Sequence, residues 1–383
     1  MEERNKTVSE TNSNRKKYWF KNLFRKLAIH KRNKRIWIFS SLLGRYQDNS
    51  MYLFEYVSKN YPQIETYYFV NSLELKQKLE KDNLRSVVIG SKEAKKLAKR
   101  AGVSFYTHGI DDFGMNVYNY DSYVVALWHG VGFKKIYYSD TTFRDNLVKK
   151  IYRNLFSYVH RDLTVTTSDY CFDCFAKDFR LKKSSKYVVI GQPRNDLLLE
   201  NNDHLKEDKK IILYAPTYRR FEKDDANLQS VIDLFSAPEL QEKLSKLGYV
   251  LYVKLHPLTT GIQINESDFI KNVCKEEAQS LLKRASVLIT DYSSIACDFA
   301  ITGRKIIFYA PDYDEYVKSE PMFEESDYLY KGKLTCKTPD EVIDKILSED
   351  YSLTNELNSI FNSSLEGNYR KRIVEYLFKK LKI

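Results

Sequence analysis

The sequence predicts an α/β protein built from two parallel-sheet domains facing across a cleft. Three observations predict it. Short runs rich in β-branched and aromatic residues alternate with helix-length amphipathic runs, the pattern of parallel sheets covered by helices on both faces. The alternation occurs twice, with a polar, charged stretch at 201–210 between the two sets. The chain has 383 residues, more than one hydrophobic core usually serves.

Taken in order, the first set predicts strands over 36–43, 65–70, 86–89, 103–106, 122–127 and 187–190. Helices are predicted over 48–60, 72–82, 91–100, 144–160 and 168–179. The second set predicts strands over 211–215, 249–255, 287–290 and 305–309. Its helices are predicted over 227–247, 277–285 and 294–302, and the end from 339 to 383 reads as helical. The expected divisions are therefore 1–35, 36–205, 206–345 and 346–383. Each α/β set is Rossmann-like, so ligands are expected at the carboxyl ends of the strands.

Hydrophobic residues make up 43% of the chain and charged residues 30%, which fits a folded protein rather than a disordered one. Five cysteines, an odd number in a long chain, argue against a disulfide framework and for a reducing, cytoplasmic compartment. The net charge is +11, but ten Lys/Arg and no acidic residue fall between Arg15 and Arg35. Setting those ten aside leaves 52 basic against 51 acidic residues, which speaks against a nucleic-acid-binding body.

The basic segment reads RKKYWFKNLFRKLAIHKRNKR. On a helix Trp19, Leu23 and Leu27 fall four apart, with Phe20 and Phe24 beside them, and the other faces carry Lys16, Lys17, Lys21, Arg25 and Lys26. This is the pattern of a helix lying in an anionic lipid interface, where each basic residue contributes about 1 kcal/mol. The alternative is a solvated arm that packs on its own domain. No stretch reaches the roughly 18 apolar residues of a membrane span, and the basic run has no signal-peptide core behind it. The expected location is the cytoplasmic face of the membrane, held peripherally.

Four segments follow predicted strands directly. In Leu127-Trp128-His129-Gly130 a histidine beside glycine can reach into a cleft, and neutral imidazole suits proton removal near pH 7. Its bland alternative is a turn whose histidine is satisfied by backbone. In Ala215-Pro216-Thr217-Tyr218-Arg219-Arg220 a hydroxyl and two guanidinium groups suit a pyrophosphate, although the segment taken alone reads more simply as a solvated loop. Lys254-Leu255-His256-Pro257 presents donors able to offset charge on a leaving phosphate. Thr290-Asp291-Tyr292-Ser293-Ser294 gathers three hydroxyls where a helix begins, an anion-binding arrangement, with Asp298 one turn further on. Serine there is also a common structural cap.

Other candidates are weaker. Cys171 and Cys174 have CxxC spacing without a second pair, so zinc or redox use is not expected. Asp312-Tyr313-Asp314 has the short DxD form of metal-dependent sugar transferases. His108-Gly109 also follows a strand and fits the acceptor side. P-loop, GxSxG and HExxH patterns are missing from the sequence. No cofactor is expected, and metal dependence is left open.

Taken in order, WHGVGFKK, GQPRND, ILYAPTYRR, KLHP and TDYSSIACDFA resemble the CDP-glycerol glycerophosphotransferase family of teichoic acid and capsule synthesis, over about 120–320. The resemblance implies a two-domain GT-B architecture, with an acceptor-side first domain and a donor-binding second domain. It implies a CDP-glycerol or CDP-ribitol donor and a lipid-linked saccharide or polymer acceptor. It implies His129 as catalytic base and His256, Ser293 and Ser294 on the donor phosphates, with Arg194 and Asp298 in or near the site. Thr217, Arg219, Lys254 and Thr290 complete the expected donor side. Val131-Gly132-Phe133 departs from the Thr-Pro-Leu type of sequence often found in relatives, a departure on the acceptor side. The sequence has no long extra N-terminal domain like that of larger polymerising members, which leans toward primase-like or capsule-type transfer.

Two rival readings remain. A GT-B glycosyltransferase using a nucleotide sugar shares the fold and draws on the DxD-like triplet. A non-enzymatic basic adaptor on membrane or RNA would spread its basic residues over the body, against the near-balance found there.

Overall fold

A computed structural model describes residues 31–114, 121–140, 161–182, 184–200, 209–217, 226–256, 259 and 261–383. The basic residues and aromatics at 16–26, the helix expected over 144–160, Arg219 and most of the expected linker lie outside these residues.

The first lobe contains β1 (Asn33–Phe39), α1 (Asp48–Asn60), β2 (Glu65–Val70), α2 (Leu73–Lys81), β3 (Ser86–Val88), α3 (Lys92–Arg100) and β4 (Ala101–Tyr106). It continues through β5 (Tyr123–Ala126), β6 (Leu163–Thr166), α4 (Asp169–Phe179), β7 (Tyr187–Val189) and α5 (Asp196–Leu199). The second lobe contains β8 (Lys210–Tyr214), α6 (Ala226–Ser236), α7 (Pro238–Lys246), β9 (Tyr249–Val253), β10 (Ile270–Asn272), α8 (Ala278–Arg284), β11 (Ala285–Thr290) and α9 (Ile295–Ala300). It ends with β12 (Lys305–Tyr309), α10 (Tyr313–Ser319), α11 (Glu324–Lys331), β13 (Thr335–Cys336), α12 (Pro339–Leu347), α13 (Ser352–Phe361) and α14 (Tyr369–Leu381).

Both sheets are parallel. The first has strand order β3-β2-β1-β4-β5-β6-β7 and the second β10-β9-β8-β11-β12-β13. These are two Rossmann-like lobes, as the sequence predicts, and each order reverses once, between β1 and β4 and between β8 and β11. Binding crevices in such sheets open at those reversals. The central strands are buried on both faces, which is why they read as continuous apolar runs. Trp37, Phe39 and Phe105 anchor the first core, with Phe39 and Phe105 stacked at 4.5 Å.

Several boundaries differ from expectation for physical reasons. β1 begins at Asn33 and ends at Phe39, and the chain then turns tightly through Leu42–Gly44. The helix expected over 227–247 is two helices, because Pro238 cannot continue α6 and instead opens α7. β6, β10 and β13, along with α10 and α11, were not expected. Serine side chains start α2, α3 and α4 where helices were expected: Ser72, Ser91 and Ser168 each accept an amide of the first turn.

The chain's last helix returns to the first lobe. Phe378 of α14 packs against Trp37 and Tyr61, and Lys34 Nζ donates to the Leu381 carbonyl at 2.7 Å. The return is fixed by the buried Asp196, which accepts Tyr369 N at 2.7 Å and both Arg370 N and Arg370 Nε at 2.9 Å. Replacing Asp196 by Ala strands three buried or half-buried donors. We expect it to lower the unfolding free energy by about 3 kcal/mol, read as an earlier midpoint in urea denaturation.

Candidate functional site

The two reversals meet. On the first lobe, β4 runs out into Thr107-His108 and β5 into Leu127-Trp128-His129-Gly130. Trp128 takes a left-handed backbone, φ 58°, which a bulky residue adopts only when its surroundings impose it. Here the neighbouring groups do so. The Trp128 carbonyl accepts Asn49 Nδ2 at 2.9 Å, and the His129 carbonyl accepts Arg194 Nη1 at 2.9 Å.

On the second lobe, Thr217 N and Tyr292 N both donate to Asp291 Oδ1, at 2.7 and 2.6 Å, and the buried Thr290 hydroxyl donates to the Ala215 carbonyl at 2.7 Å. These bonds tie the exits of β8 and β11 and fix the turn carrying Ser293 and Ser294. Ser293 Oγ accepts Ile295 N at 3.4 Å, while Ser294 makes no side-chain cap bond. A Cβ placed on Gly130 would lie 3.0 Å from Ser294 Oγ, so the glycine of the first-lobe loop permits the close approach of the second-lobe hydroxyl.

Arg194 joins the lobes. Its Nη1 donates to Asp48 Oδ1 at 2.8 Å on α1, and its Nη2 donates to Asp298 Oδ2 at 2.7 Å on α9. Burial opposes its charge, but Asp298 and Asp48 more than offset that, and its pKa is raised. Asn195 Nδ2 donates to the other oxygen of Asp298 at 3.0 Å, and Asn49 Oδ1 accepts Arg194 N at 3.1 Å.

His129, Arg194, Ser293, Ser294 and Asp298 line one crevice of about 390 Å³, with Asp48, Tyr52 and Glu277 among the other walls. His129 Nδ1 lies 3.4 Å from the Thr107 carbonyl. A carbonyl only accepts, so Nδ1 carries the proton and Nε2 keeps its lone pair. Burial holds the His129 pKa below 6.5, although Asp48 and the Thr107 carbonyl pull it up, so the ring is neutral at neutral pH.

The remaining sequence-selected residues stand outside that lining. Thr217 and Thr290 sit at the ends of β8 and β11. Lys254 Nζ donates to the carbonyls of Cys274 at 3.1 Å and Glu276 at 2.7 Å. His256 is exposed just after β9, and burial and then Lys254 lower its pKa. Asp312 accepts the Tyr292 hydroxyl at 2.7 Å at the start of α10. The described residues hold no group of three or more His, Cys, Asp or Glu that could bind a metal ion. Sequence reasoning missed Asp48, Tyr52, Glu277 and Gln279, which line the crevice from α1 and the start of α8, and Asn49, which accepts Arg194 N beside it. One signal was available for Asp48 and Asn49: they open the helix after β1, beside the first sheet's reversal.

The CDP-glycerol:poly(glycerophosphate) glycerophosphotransferase family model matches residues 21–379. A teichoic acid glycerol-phosphate primase of Bacillus subtilis (strain 168) is 31% identical over 263 residues, which cover 66% of this chain and 67% of the relative. A teichoic acid poly(glycerol phosphate) polymerase of Bacillus spizizenii is 26% identical over 382 residues, covering 93% and 95%. A solved structure of the wall teichoic acid polymerase TagF superposes with a TM-score of 0.73 at 22% identity, over 99% of this chain and 96% of that one. With the family model spanning nearly the whole chain and both lobes of the fold shared, the chain belongs to the CDP-glycerol:poly(glycerophosphate) glycerophosphotransferase family.

Proposed function

We propose that the protein transfers glycerol phosphate from CDP-glycerol to a hydroxyl of a lipid-linked saccharide acceptor, releasing CMP, in teichoic acid synthesis. The observation that carries this reading is the shared crevice, with a neutral imidazole on one lobe and a pair of serine hydroxyls on the other. The family and its named relatives support the donor and the polymer.

In the proposed step, the acceptor oxygen bonds to the phosphorus that bears glycerol. The bond from that phosphorus to the bridging oxygen breaks, and CMP leaves with that oxygen. The acceptor proton passes to His129 Nε2. Ser293, Ser294 and His256 donate to the diphosphate, and Arg219 supplies positive charge from the donor side. Lys254 and Thr290 act by holding the strand exits, where their side chains bond backbone carbonyls, and Thr217 contributes through its backbone amide on Asp291. Asp298 acts through Arg194, which fixes the His129 loop. Phosphoryl transfer relies on positioning and electrostatic support more than on covalent chemistry.

His129→Ala is expected to lower turnover by about 10²- to 10⁴-fold while CDP-glycerol still binds. The assay is CMP release with a lipid-linked disaccharide analogue, run in parallel with CDP-ribitol and UDP-sugars. Normal turnover in this variant would remove His129 as the base, and release from UDP-sugars alone would favour the glycosyltransferase reading. Because the His129 pKa is lowered, the base form persists below pH 6.5, so the acid limb of kcat/KM should fall at a pH below that value.

The anionic membrane surface is the proposed home of the reaction, with the basic segment at 16–26 as the contact. Among the described residues no helix is long and apolar enough to cross a membrane. Arg32 already pairs with Asp121 within the first lobe, so a truncation that spares the fold removes only residues 1–30. That truncation should abolish sedimentation with phosphatidylglycerol vesicles and leave CMP release on a soluble acceptor analogue intact. Undiminished vesicle binding at physiological salt would reject the segment as the anchor.

A further inference from the structure

Hydrogen bonding is only part of what holds the His129 ring. His108, two residues past the end of β4, stacks flat against it, with centroids 4.1 Å apart and planes 5° from parallel. The same dipeptide supplies the second hold, since the partner of His129 Nδ1 is the Thr107 carbonyl. This dipeptide is itself braced. His108 Nδ1 lies 2.8 Å from Thr107 Oγ1, which lies 2.7 Å from Ser41 Oγ at the exit of β1. Asp112 Oδ2 accepts Thr107 N and His108 N, both at 2.9 Å. The braced unit spans the first sheet's reversal and presents one imidazole face to another.

We propose that His108 is a positioning residue for the transfer: its ring clamps the His129 imidazole in the orientation that offers Nε2 to the acceptor, and shields that face from water. This rests on the reading of His129 as the base. Rotation of the ring about its bond to Cβ would carry Nε2 away from the acceptor oxygen, and a flat stack resists that rotation. Stacking also suits the proton transfer. When His129 takes the proton, a neutral ring against its face tolerates the new charge, as aromatic faces do for cations, whereas a second cation would repel it.

His108 keeps that neutral state. Burial, with the nearby His129 adding to it, lowers its pKa to about 4. Asp112 and Asp48 pull the other way and Arg194 adds to the lowering. The groups acting on His129 are Asp48, the Thr107 carbonyl and Arg194.

The test compares His108→Ala and His108→Phe with His129→Ala in the full chain, measuring CMP release from CDP-glycerol across pH. His108→Ala should lower kcat roughly 10- to 100-fold, the scale of a misplaced reacting group, with KM for CDP-glycerol unchanged. Water reaching the exposed ring should move the acid limb of kcat/KM up toward 6.5, the ordinary histidine value. His108→Phe keeps a flat ring without a titrating nitrogen, so it should recover most of kcat and leave the acid limb where the parent has it. NMR titration of the His129 ring without substrate should show the same shift in the Ala variant and none in the Phe variant.

Parent-like kcat and acid limb in His108→Ala would overturn the inference. So would a Phe variant as impaired as Ala with an unmoved limb, since the imidazole nitrogen would then be acting on the substrate itself. Should the Ala variant not fold, His108→Asn, which retains a polar group beside Thr107 but no ring, carries the same expectation. Turnover surviving in His129→Ala would sink the base reading instead. A dead His129→Ala beside an unaffected His108→Ala would sink only the role of His108.

Discussion

The site depends on the guanidinium of Arg194. One planar group meets a carboxylate from α1, a carboxylate from α9 and the backbone carbonyl of His129. Two lobes and the loop bearing the imidazole are thereby referred to a single cation whose side chain is 12% exposed. Breaking a buried pair by removing one partner typically costs about 3–5 kcal/mol, because it leaves an uncompensated charge in a dry setting. The fork geometry matters as much as the charge, since a lysine could not span both carboxylates. Asn49 and Asn195 complete the arrangement by giving amide bonds to the backbone around His129 and to the second oxygen of Asp298.

That junction matters because of where the sheets reverse. Each sheet changes direction once, and the loops leaving the strands at or beside each reversal carry the polar groups. Thr107 and His108 leave β4, with His129 leaving the adjacent β5, while Ser293 and Ser294 follow β11. Gly130 is the point of contact, since a Cβ there would lie 3.0 Å from Ser294 Oγ and that hydroxyl would have to give way. The segment after it is drawn into the second lobe: Phe323 N donates to the Phe133 carbonyl at 3.1 Å, and Lys135 N donates to the Pro321 carbonyl at 2.8 Å. The return of α14 to Trp37 closes the arrangement from the opposite end. The lobes are joined through packed backbone as well as through the crevice.

Much of this was legible in the sequence because the central strands are buried on both sides and read as unbroken apolar runs. The residues just after them could then be placed at the cleft by topology alone, which is how His129, Ser293 and Ser294 were found. β6 escaped because LTVT is short and half threonine, although all four residues are buried. α10 escaped because YDEYVKS mixes acids and tyrosines in a way that resembles a loop. Asp48, Tyr52 and Gln279 escaped for a different reason: they lie on helices, and only the three-dimensional approach of α1 and α8 turns them toward the crevice. Arg194 was named through the family resemblance, but its part as the bridge is a tertiary fact with no local signature.

The charge of Arg194 is already committed. Among the described residues lining the crevice it is the cation, and Asp48 and Asp298 balance it before any ligand arrives. A diphosphate entering this space would meet Asp48 and Glu277 as well as the serines, so Arg194 alone does not favour it. The segment after β8 carries two further cations in the sequence, Arg219 and Arg220. The described groups thus keep a neutral, half-buried imidazole on the first lobe, sharing one crevice with the serine hydroxyls of the second. That imidazole stays unprotonated at neutral pH because burial disfavours its charge and Arg194 opposes it further, which together outweigh the pull of Asp48 and the Thr107 carbonyl.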